Sequence, residues 1–309
     1  TSWVLHHKAK PHPSLKISGK VETKNKESNF VYKIVQARDL WDSIMKNTYD
    51  HAEPGIIFHD TVNTENNLYY CETLNATNPC AEENLPNFGC CDLGPIILPF
   101  LVNNPFGIGG EPSFNFAKLK EMVKIQVRLL DNVLDATHWP LEEQRKEAMA
   151  KRRVGVGFTG LGNVLAMVKL KYDSQDGRAL AKNIARVMRD AAYESSVELA
   201  KEKGPFPMFD ADLYLNSEFA LRLPYEIRDS IEEHGIRNSH LLSIAPTGTV
   251  SLAFGNNTSN GIEPPFSYTY DRKKREQDGS FTTYEVSDYA YRLYRKLSGS
   301  KDTLPDYFT

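Results

Sequence analysis

Cysteine is scarce in this chain. Its 309 residues hold four, Cys71, Cys80, Cys90 and Cys91. That is too few for a disulfide-stapled fold, and no CxxC pair is present, which argues against a structural zinc site. Long apolar runs are missing too. The longest, Leu93 to Val102, is broken by Pro95 and Pro99 and falls far short of the ~20 residues that span a bilayer. No charge sign dominates: 37 Lys and Arg stand against 40 Asp and Glu, a net charge of -3. A broad face for a nucleic acid polymer is therefore not expected, although a nucleotide-sized ligand needs only a local site. The opening TSWVLHHKAKPHP lacks the charged-then-apolar layout of a signal peptide. It also lacks an initiator Met, so the chain is read as starting inside a larger protein or as having lost its start. Thiols outside a disulfide framework point to the cytoplasm, where they stay reduced unless they work.

What is present fits a globular protein. Hydrophobic residues make up 40%, aromatics 11% and charged residues 25%, all ordinary values. A chain this long can bury about three quarters of its unfolded surface, in one large domain or two smaller ones. Lys16 to Asn29, rich in Lys, Ser, Glu and Asn, reads as an exposed loop. Asp39 is placed to cap a helix reaching about Tyr49, with Leu40, Trp41, Ile44 and Met45 on one face. Gly55 to Phe58 (GIIF) follows a Pro-Gly turn signal and reads as a buried strand. From Asn63 to Pro112 no period holds, and a long irregular stretch with this many apolar residues is more often functional than disordered.

From Phe116 the helical period is strong, through Leu119, Met122, Val123, Val127, Leu130, Val133 and Leu134. Pro140 suits the first turn of the next helix. Arg153 to Gly157 reads as a short strand and Leu161 to Leu170 as a buried helix. Ser174 caps a long helix ending near Lys203, with Gly204 past its end. Pro224 to His234, stopped by Gly235, repeats that punctuation. Leu241 to Ala245 (LLSIA) is a strand running into PTGTVS. Strands alternating with helices make the fold class α/β.

Three constellations could carry chemistry. Gly155, Gly157 and Gly160 spell GxGxxG, but the strand before them is short and Asp173, 13 residues on, follows a helix. A tight strand-to-helix turn with close packing is the better reading than a dinucleotide site. In Asn78-Pro-Cys80-Ala-Glu82 an extended backbone would turn Asn78, Cys80 and Glu82 to one side. An amide, a thiol and a carboxylate would then meet a diol-like substrate together; a structural turn is the even alternative. Thr247, Gly248, Thr249 and Ser251 follow an apolar strand without a Walker GK[ST]. They could form an anion site at a strand-to-helix turn or serve simply as a helix cap. Four cysteines within 21 positions, an amide and carboxylate pair and a phosphate turn suggest redox chemistry on a phosphorylated sugar or nucleotide.

Several long segments carry a resemblance. NLYYCETLNATNPCAEENLPNFGCCDLG, RLLDNVLDATHWPLEEQRKEAMAKRRVGVGFTGLGNVL, AAYESSVELAKEKGPFP and GIRNSHLLSIAPTGTVSLAFGNNTSNGIEPPFSYTYDRKKR resemble ribonucleotide reductase large subunits. The likeness is strongest to the class II, adenosylcobalamin-dependent branch. It runs in collinear order from Ala37 to Tyr294, so 37–309 is read as part of the catalytic barrel and 1–36 as a poorly matched leading segment. The resemblance implies a ten-stranded α/β barrel around a central finger loop, with Cys80 at the loop tip as the thiyl radical. It implies that Asn78 and Glu82 hold the ribose hydroxyls, with Glu82 as general base. Cys91 matches the second cysteine of a redox pair, and Thr247, Gly248, Thr249 and Ser251 match the loop for the substrate phosphates. Ala81 stands where a glycine is common, Cys90 where a small residue is common, and PIILP replaces SINL. By the same resemblance the partners are a ribonucleotide, a thioredoxin-type reductant and an upstream segment carrying the first redox cysteine, with no membrane. A class I segment, whose radical comes from a metal-bearing subunit, and a non-catalytic piece of a split reductase are the competing readings.

Overall fold

The computed structural model describes residues 2–7, 30–300 and 303–308. The expected loop at Lys16 to Asn29 lies outside them. The chain divides into two compact units, 1–58 and 59–309.

In the first unit, β1 (Ser2–His7) pairs antiparallel with β2 (Phe30–Gln36), with a register shift between Leu5 and His6. β2 runs straight into α1 (Ala37–His51). The expected cap is displaced: Gln36 holds the cap position, and Asp39 lies in the first turn. Its negative charge there still complements the helix dipole. No residue of α1 is buried. The expected strand at Gly55 to Phe58 is irregular backbone instead, and Ile56, Ile57 and Phe58 are exposed. Among the described residues no strand lies beside this segment, so its backbone has no ladder to join.

The second unit opens with α2 (His59–Thr64) and a hairpin of two-residue strands, β3 (Ala76–Thr77) and β4 (Asn84–Leu85). β5 (Asp92–Ile97) follows, then a second short hairpin, β6 (Val102–Asn103) and β7 (Ser113–Phe114). Next come α3 (Phe116–Ala136), α4 (Glu142–Lys151), β8 (Val154–Thr159), α5 (Leu161–Met167) and α6 (Gln175–Lys203). The chain ends with α7 (Ala211–Leu215), α8 (Tyr225–His234), α9 (Gly248–Ala253), the hairpin β9 (Thr269–Arg275) and β10 (Phe281–Ser287), and α10 (Tyr289–Ser298). Alternating helices and strands match the expected α/β class. The described strands form two-stranded sheets and close no barrel.

The helical period places α3 as expected. Leu119, Val123, Val127, Leu130 and Leu134 are buried along one stripe, each side chain contributing about 1.5–3 kcal/mol by leaving water. Asn115 caps the helix by accepting the Lys118 amide at 2.9 Å. Ser174 caps α6 through the Gly177 amide at 3.0 Å. On α6, Ala191, Ala192, Ser195 and Ser196 are buried small residues that let α3 approach closely. Pro140 does not open α4; Leu141 is the cap residue, in extended conformation, and Pro140 stands in the turn before it.

A buried charge cluster ties these helices together. Asp131 of α3 is fully buried and meets Arg152 at 2.8 Å, Lys203 at 3.1 Å and Arg237 at 3.3 Å. Asn238 Nδ2 adds a hydrogen bond at 3.0 Å. Burial pushes the Asp131 carboxyl up, but the hydrogen bond from Arg152 and the surrounding cations outweigh it and hold the group below its usual range.

β5 and β8 pair in parallel, from Asp92 with Val154 to Ile97 with Thr159. Every residue of β8 is buried, as a strand covered on both faces requires. The expected strand at Leu241 to Ala245 is present as a ribbon with one parallel bridge, Val156 to Leu242. It is held by Val154 N donating to His240 O at 3.1 Å, Val156 N to Leu241 O at 2.8 Å and Ser243 N to Val156 O at 3.2 Å. The glycines of GxGxxG serve this packing. A Cβ on Gly157 would stand 2.1 Å from the Ser243 carbonyl oxygen, and one on Gly160 would stand 2.4 Å from Pro99.

Candidate active site

The β3–β4 hairpin closes over residues 78–83. Asn78 N donates to Glu83 O at 3.2 Å, and Ala81 N donates to Asn78 O at 3.1 Å. The Asn78 side-chain carbonyl accepts the Glu83 amide at 3.1 Å. The segment is therefore a turn, the alternative to the extended ribbon that its alternating pattern also allowed. Pro79 and Cys80 form its outer corner, and Ala81 is left-handed, at φ 65°. An L-residue there costs roughly 1–2 kcal/mol, which explains why a glycine would suit the position. The turn still gathers Asn78, Cys80 and Glu82 into one short loop, with the Cys80 thiol exposed.

Glu82 is half-buried, and its Oε2 is shielded from solvent with no hydrogen-bond partner among the described residues. Such an oxygen is costly unless a donor arrives. Glu83 is the more deeply buried of the two, 8% exposed, and burial raises its carboxyl above the ordinary carboxylate range. The Ser243 hydroxyl reaches Glu82 O at 3.4 Å. Sequence reasoning missed Glu83 and Ser243. The doublet Glu82-Glu83 was the available signal, but only the turn shows that Glu82 is half-buried and Glu83 buried.

Cys91 lies just before β5, and its thiol is held well above the ordinary value, first by burial and then by the nearby Glu83 charge. Cys90 packs against the main core and is pushed up to about 11, chiefly by burial. Burial also raises Cys71. The adjacent Cys90 and Cys91 thus have different surroundings: Cys90 packs against the main core, whereas the Cys91 thiol reaches the Asp92 carbonyl at 3.9 Å.

The third expected group opens α9. Thr247 is buried, left-handed at φ 59°, and occupies the cap position. Its hydroxyl lies 2.8 Å from Thr159 Oγ1 and accepts the Gly261 amide at 2.9 Å. Ser251 is buried, bonding Gly248 O at 2.9 Å and Asn260 Oδ1 at 2.8 Å. These two hydroxyls hold the loop together, whereas Gly248 and Thr249 are exposed. Both border a cleft of about 340 Å³ that Asn260, Tyr270 and Arg272 also line. Ser243 touches the hairpin turn, and four residues later Thr247 starts the loop, so at most about 14 Å of chain separates them.

No group of three or more His, Cys, Asp and Glu side chains that could hold a metal ion occurs among the described residues. No helix among them is long and apolar enough to cross a membrane.

Comparison with known proteins gives this geometry a family. The family model described as "Ribonucleotide reductase, barrel domain" matches residues 8–301. The chain is 34% identical over 236 residues to a vitamin B12-dependent ribonucleoside-diphosphate reductase of Mycobacterium tuberculosis, covering 76% of this chain and 30% of the relative. A protein of the same name from Thermoplasma acidophilum is 31% identical over 254 residues, covering 82% of this chain and 30% of the relative. The ribonucleoside-diphosphate reductase large chain of Encephalitozoon cuniculi is 30% identical over 254 residues, covering 78% and 32%. The chain thus spans about a third of the length of the curated relatives it matches. On the family match and these collinear relatives, the chain belongs to the ribonucleotide reductase barrel-domain family.

Proposed function

We propose that this chain is the part of a class II ribonucleotide reductase catalytic subunit that carries the radical cysteine. The observation that carries the reading is the hairpin turn: an exposed thiol two residues from a carboxylate whose shielded oxygen has no partner among the described residues. A ribose hydroxyl is the donor that this oxygen lacks, and the Asn78 amide can hold a neighbouring hydroxyl. The exposed Gly248 and Thr249, beside Arg272 in their cleft, suit the phosphates of the same nucleotide.

In this reading the Cys80 thiyl removes the hydrogen atom from the ribose 3′ carbon, and Glu82 takes the 3′ hydroxyl proton. The 2′ hydroxyl leaves as water after protonation by the dithiol to which Cys91 belongs. That dithiol gives up two electrons and two protons in all and becomes a disulfide. Cys80 then returns its hydrogen atom to the 3′ carbon, so its thiyl is regenerated. By the family resemblance the first cysteine of the pair is expected upstream, and adjacent cysteines pair only through a strained ring. A thiol-reducing partner of the thioredoxin type would reset the pair.

Adenosylcobalamin, when bound, supplies the radical by homolysis of its cobalt–carbon bond. The exposure of Cys80 fits an external radical source, because the thiol can be reached from outside the hairpin. An exposed thiyl is also short-lived in water, so a further segment is required to cover the tip and complete the barrel. The B12-dependent names of two relatives support the cobalamin branch.

The test has two arms. The 309-residue chain, supplied with adenosylcobalamin, a dithiol and a ribonucleotide, is expected to give no multiple turnovers; such turnovers would place a complete redox pair within it. The assembled subunit is expected to bind cobalamin and to work without a metal-bearing subunit. Dependence on such a subunit would move the chain to class I.

A further inference from the structure

The hairpin turn comes to rest on β8. A Cβ on Gly155 would stand 2.5 Å from Leu93 Cδ2, 2.8 Å from Ser243 Cβ and 3.0 Å from Glu83 Oε1, so no side chain fits at this position. Three segments meet there: β5 through Leu93, the 241–245 ribbon through Ser243 and the turn through Glu83. Ser243 is fixed through its backbone. Its amide donates to Val156 O at 3.2 Å, and its carbonyl oxygen fills the space that a Cβ on Gly157 would need. Its side chain is buried, and its hydroxyl donates to the Glu82 carbonyl at 3.4 Å. That bond is long, but its Ser243 side is out of water, where a hydrogen bond gains strength.

We infer that Ser243, seated over the bare backbone of Gly155, is a positioning residue for Glu82: its hydroxyl holds the Glu82 carbonyl and so fixes the turn against β8. The bonds between Asn78 and Glu83 and from Ala81 to Asn78 close the turn on itself and do not tie it to β8. The inference deepens the role proposed above for Glu82 and rests on that reading for its purpose, though not for its geometry.

The placement matters because the same strand also holds the phosphate loop. Thr247 Oγ1 lies 2.8 Å from Oγ1 of Thr159, the last residue of β8. Gly155 and Thr159 are four residues apart, about 13 Å at the rise of a parallel strand. β8 thus carries the turn with Cys80 and Glu82 at one point and the loop with Gly248 and Thr249 at another. A displacement of about 1 Å between reacting groups can cost roughly 100-fold in rate. Releasing the Glu82 carbonyl should therefore be felt in turnover. The phosphate loop, tied through Thr159, should keep its hold on the nucleotide.

The test is Ser243→Ala in the assembled subunit, read in two ways. Without nucleotide, cofactor or reductant, amide hydrogen exchange at Ala81 and Glu83 should quicken about two- to tenfold, the worth of one hydrogen bond. The Val156 amide, which bonds Leu241 O, should stay protected. With substrate, kcat should fall about tenfold while KM stays within about twofold of the parent. Gly155→Ala, which sets a methyl against Ser243 and Glu83, should quicken the same two amides. Unchanged exchange at Ala81 and Glu83 in either variant, quickening that extends equally to Val156 in Ser243→Ala, or parent kcat in Ser243→Ala would overturn the inference. The exchange arm involves no catalysis, so it decides the inference even where failure of the parent to reduce ribonucleotides has ended the reductase reading.

Discussion

The side-chain carbonyl of Asn78 accepts the backbone amide of Glu83 at 3.1 Å, closing from within the turn that carries Cys80 and Glu82. Asn78 thus has a structural task besides any contact with substrate. Asn78→Ala should cost about 0.5–1.5 kcal/mol for the lost hydrogen bond. The local signature is faster hydrogen exchange at the Glu83 amide, with little change elsewhere; unchanged exchange there would contradict the geometry.

Ala81 occupies a left-handed position in the same turn, at φ 65°. Ala81→Gly should stabilise the folded turn by roughly 1 kcal/mol, partly offset by the greater freedom of glycine in the unfolded chain. Denaturant unfolding measures the sum, and a net loss above 1 kcal/mol would argue against strain at this residue.

Asp131 offers the clearest pH dependence. Its folded-state value lies below the unfolded one. Its contribution to stability is therefore full above the unfolded value of about 3.9 and is lost as pH falls through the folded value. Asp131→Asn should destabilise by about 3–5 kcal/mol at neutral pH, because Arg152 is left buried without its main partner. The deficit against the parent should shrink below pH 4, as followed by urea midpoints. A deficit that is constant down to pH 2 would contradict the charge argument.

Thr249 and Ser251 should separate. The Thr249 side chain is exposed on the cleft, so Thr249→Ala should raise KM by about 10- to 150-fold, the worth of one hydrogen bond to a charged group, with kcat unchanged. Ser251 is tied to Gly248 O and Asn260, so Ser251→Ala should also lower thermal stability. Equal effects on KM and stability for both would mean that the loop differs from this description.

Cys91 and Cys90 should separate as well. Cys91→Ser should spare hydrogen removal at the 3′ carbon and block reduction, while Cys90→Ser should leave reduction largely intact. The reverse pattern in the assembled subunit would move the redox role by one residue.

Much of this fold was legible because the helices announce themselves. The apolar stripe of α3, the Ser174 cap and the Gly204 and Gly235 stops are local signals, and each lies where its chemistry put it. The failures are non-local. Gly55 to Phe58 has the composition of a strand, but a strand exists only beside a partner, and none is present among the described residues. The alternation at Asn78, Cys80 and Glu82 suits an extended ribbon as well as a turn, and Asn78, bonding the backbone five residues on, makes the turn. Asx side chains compete with regular structure in this way. Glu83 and Ser243, 160 positions apart in sequence, both crowd Gly155 of β8, a neighbourhood that only the fold creates. The family resemblance points to Cys80 and Cys91; the surroundings that distinguish Cys91 from Cys90 come only from the fold.

The most direct measurement is hydrogen loss from the substrate. The assembled subunit containing this chain is given adenosylcobalamin, a dithiol and a ribonucleotide tritiated at the 3′ carbon. The parent should form deoxyribonucleotide over many turnovers and release a minor part of the tritium, exchanged with water from the Cys80 S–H before the hydrogen returns to the 3′ carbon. Cys80→Ser should do neither, because oxygen holds its hydrogen too strongly for the radical to form. Tritium release and turnover near the parent rate in Cys80→Ser would remove Cys80 from the radical role and the account with it.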